Sequence, residues 1–311
     1  MLVDRHLKVG SVKCHRQIKL GSLASKVIGD LLFGLTKHSA GAKVGGVLTD
    51  DQASDFLAVG LNCYCAEFAF ETQAGVCAIH ASQNKTKAGS QRFTWNLLRN
   101  HSGSALEIGA NPYFTTILLR EFSNLTVTLT NSFDANSKGK SSQTVSYSYP
   151  KTARSISYSG EFEYENINVE IDKFPYEDGE FDVVIFCEVV EHLISDPVAA
   201  LTEMRRVLKP GGTLIVSTPN VARLENVSKI IVGANIYDPY SGYGPYGRHN
   251  REFTRHELVH LLQFCGFAVD NHFTTDVHSD GALSMVPPKT LKELVSHRKD
   301  DLGQYLFCVA T

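Results

Sequence analysis

The chain has no apolar run approaching the roughly 18 residues that a bilayer-spanning helix needs. Its first residues, Met1-Leu2-Val3-Asp4-Arg5-His6, lack the apolar core of a secretory signal, so a cytoplasmic protein with no membrane span is expected. It has no CxxC pair. Seven cysteines, an odd number, lie at 14, 63, 65, 77, 187, 265 and 308; Cys63-Tyr64-Cys65 is too tight for a zinc-finger half-site and has no second pair. Cys187 and Cys265 sit in apolar segments, where a free thiol behaves as a small hydrophobe, so reduced structural thiols are expected. There is no excess of basic charge: 30 Lys and Arg face 33 Asp and Glu, a net charge of −3. That removes the electrostatic footprint needed to hold long nucleic acid, but leaves room for a short oligonucleotide end in a local pocket. No internal repeat is present.

What is there reads as α/β. With 43% apolar and 20% charged residues in 311, the composition is that of an ordinary globular protein. From about residue 104, strand-like runs alternate with helical patterns, as in a parallel sheet. Strands are expected at Ala105–Gly109, Leu125–Leu129, Phe162–Glu170, Phe181–Phe186 and Thr213–Ser217, then Phe267–Thr274 and Gln304–Ala310. The unbroken Phe181–Phe186 run suits a strand buried on both faces. Asn111-Pro112 reads as a helix start, Pro197–Leu208 as a helix stopped by Pro210-Gly211-Gly212, and Thr254 with Glu257 as a capping box opening another helix. A last helix is expected over Pro288–His297. Residues 1–90, with a polar linker near Ser82–Ser90, form an N-terminal extension that announces no function; residues 91–311 form the folded domain. The Tyr237–Gly247 segment, with tyrosines at 237, 240, 243 and 246, suits either a connector or an aromatic lid.

The strand–glycine–helix unit Glu107-Ile108-Gly109-Ala110-Asn111 presents backbone N–H groups and a helix N-terminus to a polar ligand. Only Gly109 stands where dinucleotide folds carry G-x-G-x-x-G, which argues against a pyrophosphate. Four pieces in order then resemble a class I S-adenosylmethionine-dependent methyltransferase over about residue 92 to the end: Leu106–Asn111, Phe174-Pro175-Tyr176 ahead of Phe181–Val184, Glu188–Leu193, and Leu208–Leu214. The resemblance implies a Rossmann-like, seven-stranded, mostly parallel sheet with an antiparallel last strand and helices on both faces. It also implies a donor, S-adenosylmethionine, bound by Glu107, Gly109, Ala110 and Asn111. Asn131 would stand where the family usually has a ribose-binding acid, Glu170 at the adenine-contacting position, and Cys187 and Glu188 beside the methyl group.

Glu188-Val189-Val190-Glu191-His192 is the sharpest chemical feature. A helical first turn after the fourth expected strand would put Glu188, Glu191 and His192 on one face. Such a cluster suits a divalent cation, an acid/base pair, or a histidine that only caps the sheet edge. The segment is similar to those of ubiquinone-pathway O-methyltransferases and small-RNA 3′-terminal 2′-O-methyltransferases, and His249 ahead of Thr254-Arg255 matches the latter. The implied ligand set for Mg²⁺ or a similar ion is Glu188, Glu191, His192 and His249, with Glu191, His192 and His249 as the catalytic groups. Gly109–Phe114 and Arg248–Thr254 are similar to methyltransferases of glycan building, which implies O-methylation of a sugar-containing or other small polar acceptor. The alternatives are 2′-O-methylation of an RNA 3′ end and a non-catalytic binder that keeps the fold.

Overall fold

A computed structural model describes residues 97–98, 100–110, 113–132, 138–149, 156–237, 244–276, 285–298 and 300–311. Among these, strands β1 (Ser102–Ile108), β2 (Asn124–Asn131), β3 (Gly139–Tyr149), β4 (Ile156–Asn166), β5 (Phe181–Cys187), β6 (Leu208–Pro219), β7 (Val269–Thr275) and β8 (Tyr305–Ala310) form one sheet. Its order is β3-β4-β2-β1-β5-β6-β8-β7. The described α-helices are α1 (Phe114–Phe122), α2 (Val198–Val207), α3 (Leu224–Ile231), α4 (Arg255–Phe264) and α5 (Pro288–Val295). No described helix is long and apolar enough to cross a membrane.

Period-two alternation sends neighbouring strand residues to opposite faces. Leu106 and Ile108 of β1 join Val184, Phe186, Leu214 and Val216 in a core closed by Ala200, Leu201 and Met204 of α2 and Leu258 and Leu262 of α4. Ala105, Val183, Ile185 and Ile215 face the other way, onto Ile117 and Leu118 of α1. Helices on both faces explain why β5 is apolar and buried from Val183 to Phe186, with its one acid, Asp182, at the amino end. Each large apolar side chain buried there contributes about 1.5–3 kcal/mol.

The fold is the Rossmann-like arrangement expected, with corrections. The sheet has eight strands rather than seven. β1 pairs in parallel with β2 and β5, β2 with β4, and β5 with β6; β8 runs antiparallel to β6 and β7. The additional strand is β3, antiparallel to β4 along its whole length. The expected third strand is shifted: β4 ends at Asn166, and Val169-Glu170 lie in a turn. α1 begins at Phe114, after Tyr113 in left-handed backbone, later than the Asn111-Pro112 start, which lies outside the described residues. Lys209-Pro210-Gly211-Gly212 does follow the end of α2, but it lies within β6, where the pairing with β5 jumps from Phe181↔Leu208 to Val183↔Thr213. The N-terminal extension, its linker and Tyr240 and Tyr243 lie outside the described residues.

Candidate active site

The chain winds outward through β1, β2 and β4, then returns to the centre and winds the other way through β5 and β6. The crevice beyond the carboxyl ends of β1 and β5 is therefore the point where winding reverses, the usual ligand position in such sheets. Gly109 follows β1, Asn131 ends β2, Glu170 follows β4, and Cys187 ends β5. All the described donor-binding candidates thus reach one edge; Asn111 is outside the described residues.

Gly109 has φ +71°, and a Cβ there would lie 2.5 Å from Cγ2 of Val189. Only glycine meets both conditions, and the contact brings the β1 loop against the turn after β5. The amides of Gly109 and Ala110 donate to Thr130 O at 2.9 and 3.4 Å, fastening the loop to β2. Glu107, buried on the α1 side, accepts the Thr116 hydroxyl at 2.6 Å. Asn131 is buried and donates through Nδ2 to the Tyr113 hydroxyl at 3.0 Å, which donates to Gln143 Oε1 of β3 at 2.9 Å. The Tyr113 ring stacks on Phe162 at 4.4 Å and 8°, and burial pushes its phenol pKa up. Tyr113 and Gln143 were missed in the sequence reading; an aromatic directly after the glycine loop was the available signal. Glu170 accepts the amides of Ile194 (2.8 Å) and Ser195, so its carboxylate holds the turn that follows the carboxylate–histidine segment.

That segment is not the continuous helical turn expected. Glu188 adopts φ +57°, and only Val190–His192 form a 3₁₀ turn. Its carboxylate accepts the Ser217 hydroxyl at 2.7 Å, and its amide donates to Ser217 O at 2.9 Å. Glu188 is therefore turned toward the end of β6. A ligand atom from each of Glu191, His192 and His249 lies within 4.8 Å of the others; Glu188 is not in this group. Glu191, 1% exposed, accepts the Thr218 hydroxyl at 3.0 Å, and its other oxygen is 3.8 Å from His192 Nε2. The two imidazoles meet edge to face with centroids 5.1 Å apart.

Residues 248–253 deliver His249 through a set of backbone ties. The amides of Asn250 and Arg251 donate to Glu191 O at 2.8 and 3.3 Å, and Asn250 Nδ2 to His192 O at 2.9 Å. Asn220 forms a parallel bridge with Phe253. His192 Nδ1 donates to Arg248 O at 3.0 Å, and His249 Nδ1 to Glu252 Oε1 at 2.9 Å. With both Nδ1 atoms on acceptors, Nε2 is the unprotonated nitrogen of each neutral ring, the tautomer used for ligation or proton uptake. Glu252 is nearly buried; burial pushes its carboxyl pKa up, but the His249 hydrogen bond and the Arg223 charge outweigh it and hold it below the usual range. Tyr237 and Tyr246 are exposed, and the Tyr246 hydroxyl accepts from Asn168 Nδ2 at 3.4 Å near Glu170.

Residues 106–216 match the family described as a methyltransferase domain. A Mycolicibacterium smegmatis protein described as a probable S-adenosylmethionine-dependent methyltransferase is 34% identical over 99 residues, 32% of this chain and 33% of that one. The ubiquinone biosynthesis O-methyltransferase of Cereibacter sphaeroides is 41% identical over 88 residues, 28% of this chain and 34% of that one. The match thus spans about a third of the length of these curated relatives. The solved structure of a SAM-dependent methyltransferase from Archaeoglobus fulgidus superposes with a TM-score of 0.46 at 13% identity, covering 75% of this chain and 99% of that one.

Proposed function

We propose that this chain, whose residues 106–216 match a methyltransferase domain, is a class I S-adenosylmethionine-dependent methyltransferase that methylates a hydroxyl of a sugar-containing or other small polar acceptor. The reading is supported by one observation: His249 meets Glu191 and His192 at the turn after β5, which touches Gly109 through Val189.

In this reading Glu107, Gly109, Ala110, Asn131, Glu170, Cys187 and Glu188 bind the donor at the carboxyl ends of β1, β2, β4 and β5. A sulfonium methyl is already activated, so the protein has to align the nucleophile and relieve it of a proton. An alcohol with a solution pKa of ~15 needs a base or a Lewis acid for that step. His192 and His249, each with Nδ1 committed to an acceptor, are the proton-accepting groups, and the buried Glu191 carboxylate stabilises the imidazolium that results.

The same three side chains fit a divalent cation. One carboxylate oxygen and two imidazole nitrogens form a mixed donor set that suits Mn²⁺ or Zn²⁺ better than Mg²⁺, which prefers oxygen alone. Glu191, His192 and His249 would hold the ion, and Glu188 would stand outside its shell. A bound ion would lower the pKa of a coordinated hydroxyl. The exposed Tyr246, beside Asn168 and Glu170, supports a sugar, since an aromatic face stacks on the apolar face of a pyranose.

The test is release of S-adenosylhomocysteine by the full chain, offered glycan hydroxyls, a catechol-type phenol and an RNA with a free 3′ terminal ribose, with Mn²⁺ or Mg²⁺ and after chelation. Turnover of the sugar acceptor, lost on chelation, is expected. Turnover confined to RNA supports 2′-O-methylation instead. Activity unchanged by thorough chelation removes the cation, and no detectable donor binding by calorimetry favours a non-catalytic binder.

A further inference from the structure

His249 and His192 both commit Nδ1 to an acceptor, but the acceptors differ. His192 uses the neutral carbonyl of Arg248, whereas His249 uses the carboxylate of Glu252, only 6% exposed. The second carboxylate oxygen is also engaged: Oε2 accepts from Arg223 and, at 3.4 Å, from Asn226 Nδ2. Arg223 donates from the same nitrogen to Asn220 O at 3.0 Å, and Asn226 Nδ2 to Val221 O at 2.9 Å. Glu252 is therefore clamped from the beginning of α3 and the end of β6, and His249 is referenced through it to the sheet.

A stability role alone accounts poorly for this arrangement. A buried ion pair is often no better than an apolar pair of similar volume. The segment is also already held without Glu252, by the Asn220–Phe253 bridge, by Val221 N donating to Phe253 O at 3.0 Å, and by the ties from Asn250 to the Glu191–His192 turn. What Glu252 supplies is an anionic acceptor at the Nδ1 edge of one imidazole.

We propose that Glu252, clamped by Arg223 and Asn226, is a positioning residue that holds His249 in the tautomer protonated on Nδ1, leaving Nε2 to accept a proton or ligate a cation. This rests on the reading of His249 as a functional group of the methyl-transfer site. A carboxylate behind an imidazole raises its donor strength and fixes its ring plane, and losing such a partner costs about 10–100-fold in metal affinity. The relay therefore makes His249 a stronger donor than His192 and couples it to the start of α3.

The test is long-range ¹H–¹⁵N NMR of the histidine rings in the full chain at pH 8, with His249 assigned by its disappearance in His249→Gln. The parent is expected to carry the proton on Nδ1, and Glu252→Leu to shift His249 toward the Nε2-protonated form. Because Glu252→Leu strands Arg223, the paired Arg223→Met/Glu252→Met variant removes both charges and is expected to fold and to shift the tautomer in the same way. Mn²⁺ titration of the same proteins is expected to show about 10–100-fold weaker binding without Glu252. A parent protonated on Nε2, or a tautomer unmoved in both variants, overturns the proposal. A parent that binds no Mn²⁺ but whose tautomer switches sinks the cation reading and leaves the relay standing. A parent that binds Mn²⁺ no better than the variants do, with the tautomer unmoved, sinks the relay and spares the cation.

Discussion

The two ends of strand β5 carry polar clusters of opposite character. At the amino end, Asp182 Oδ2 accepts the Ser104 amide at 2.8 Å, the Ser104 hydroxyl at 3.1 Å and Lys209 Nζ at 2.8 Å. One carboxylate, one cation and one hydroxyl satisfy each other at the surface. At the carboxyl end, buried Glu191 and two imidazoles are brought together with no lysine or arginine within ion-pair distance of that carboxylate among the described residues. The difference lies in what each cluster closes on. The first pins β1, β5 and β6 together and uses up its charge. The second gathers side chains of the kind that accept protons or ligate cations beyond the carboxyl ends of β5 and β6, and residues 248–252 are tied to the Glu191–His192 turn so that His249 joins them.

The comparison breaks first at Glu191. Glu191→Gln keeps the size and an oxygen for the Thr218 hydroxyl, but removes the charge. If the carboxyl edge is the chemical one, S-adenosylhomocysteine formation falls by at least about 100-fold, the scale of a lost acid/base or ligating group, while the melting temperature changes little. A variant within threefold of the parent would make this edge as structural as the other.

A smaller effect separates two glycines in left-handed backbone, one at each edge. Gly211, at φ +75°, faces open space, whereas a Cβ on Gly109 would run into Val189. Gly211→Ala is expected to cost about 1–2 kcal/mol, the left-handed penalty alone. Gly109→Ala is expected to cost about 1–3 kcal/mol more, for the overpacked contact, and also to weaken S-adenosylmethionine binding. Urea denaturation measures both, and calorimetry with the donor measures the second. Equal costs would mean that the β1 loop and the 188–192 turn are not in contact.

The parts of the fold that were readable in the sequence are those determined locally or by burial on both faces. The Thr254–Glu257 capping box forms with both arms, because its partners are three residues apart. The β5 run declared itself by Val183–Phe186, four apolar residues that fill both faces of the strand. β3 did not: its sequence Gly139–Tyr149 is rich in Ser, Thr and Gln, as an edge strand can be, and it is defined by pairing with β4. α3 passed unnoticed because Arg223 at its start provides no side-chain cap. Within the site, the residue types of the Glu191, His192 and His249 group were readable from spacing. The role of Glu188 was not, because a helical repeat was assumed through a residue whose backbone is left-handed. The Tyr113–Gln143 link joins the β1 loop to β3, across 30 residues of sequence, and no local pattern encodes such a contact.

The smallest expected effect tests the amino edge. The hydrogen bond from Lys209 and those from Ser104 hold the Asp182 carboxyl down to about 2, below the value of ~3.9 expected in the unfolded chain. A carboxyl depressed on folding contributes stability in full above its unfolded value and loses it as pH falls toward its folded one. The stability of the parent should therefore decline between about pH 4 and pH 2 by a component that Asp182→Asn lacks. Asp182 is over a third exposed, so solvent and salt screen its pairing with Lys209, and the component should shrink further when the urea titrations are repeated in high salt. Parallel acid limbs for parent and variant would show that this cluster stores no charge-dependent stability, and the contrast between the two ends of β5 would then rest on the carboxyl end alone.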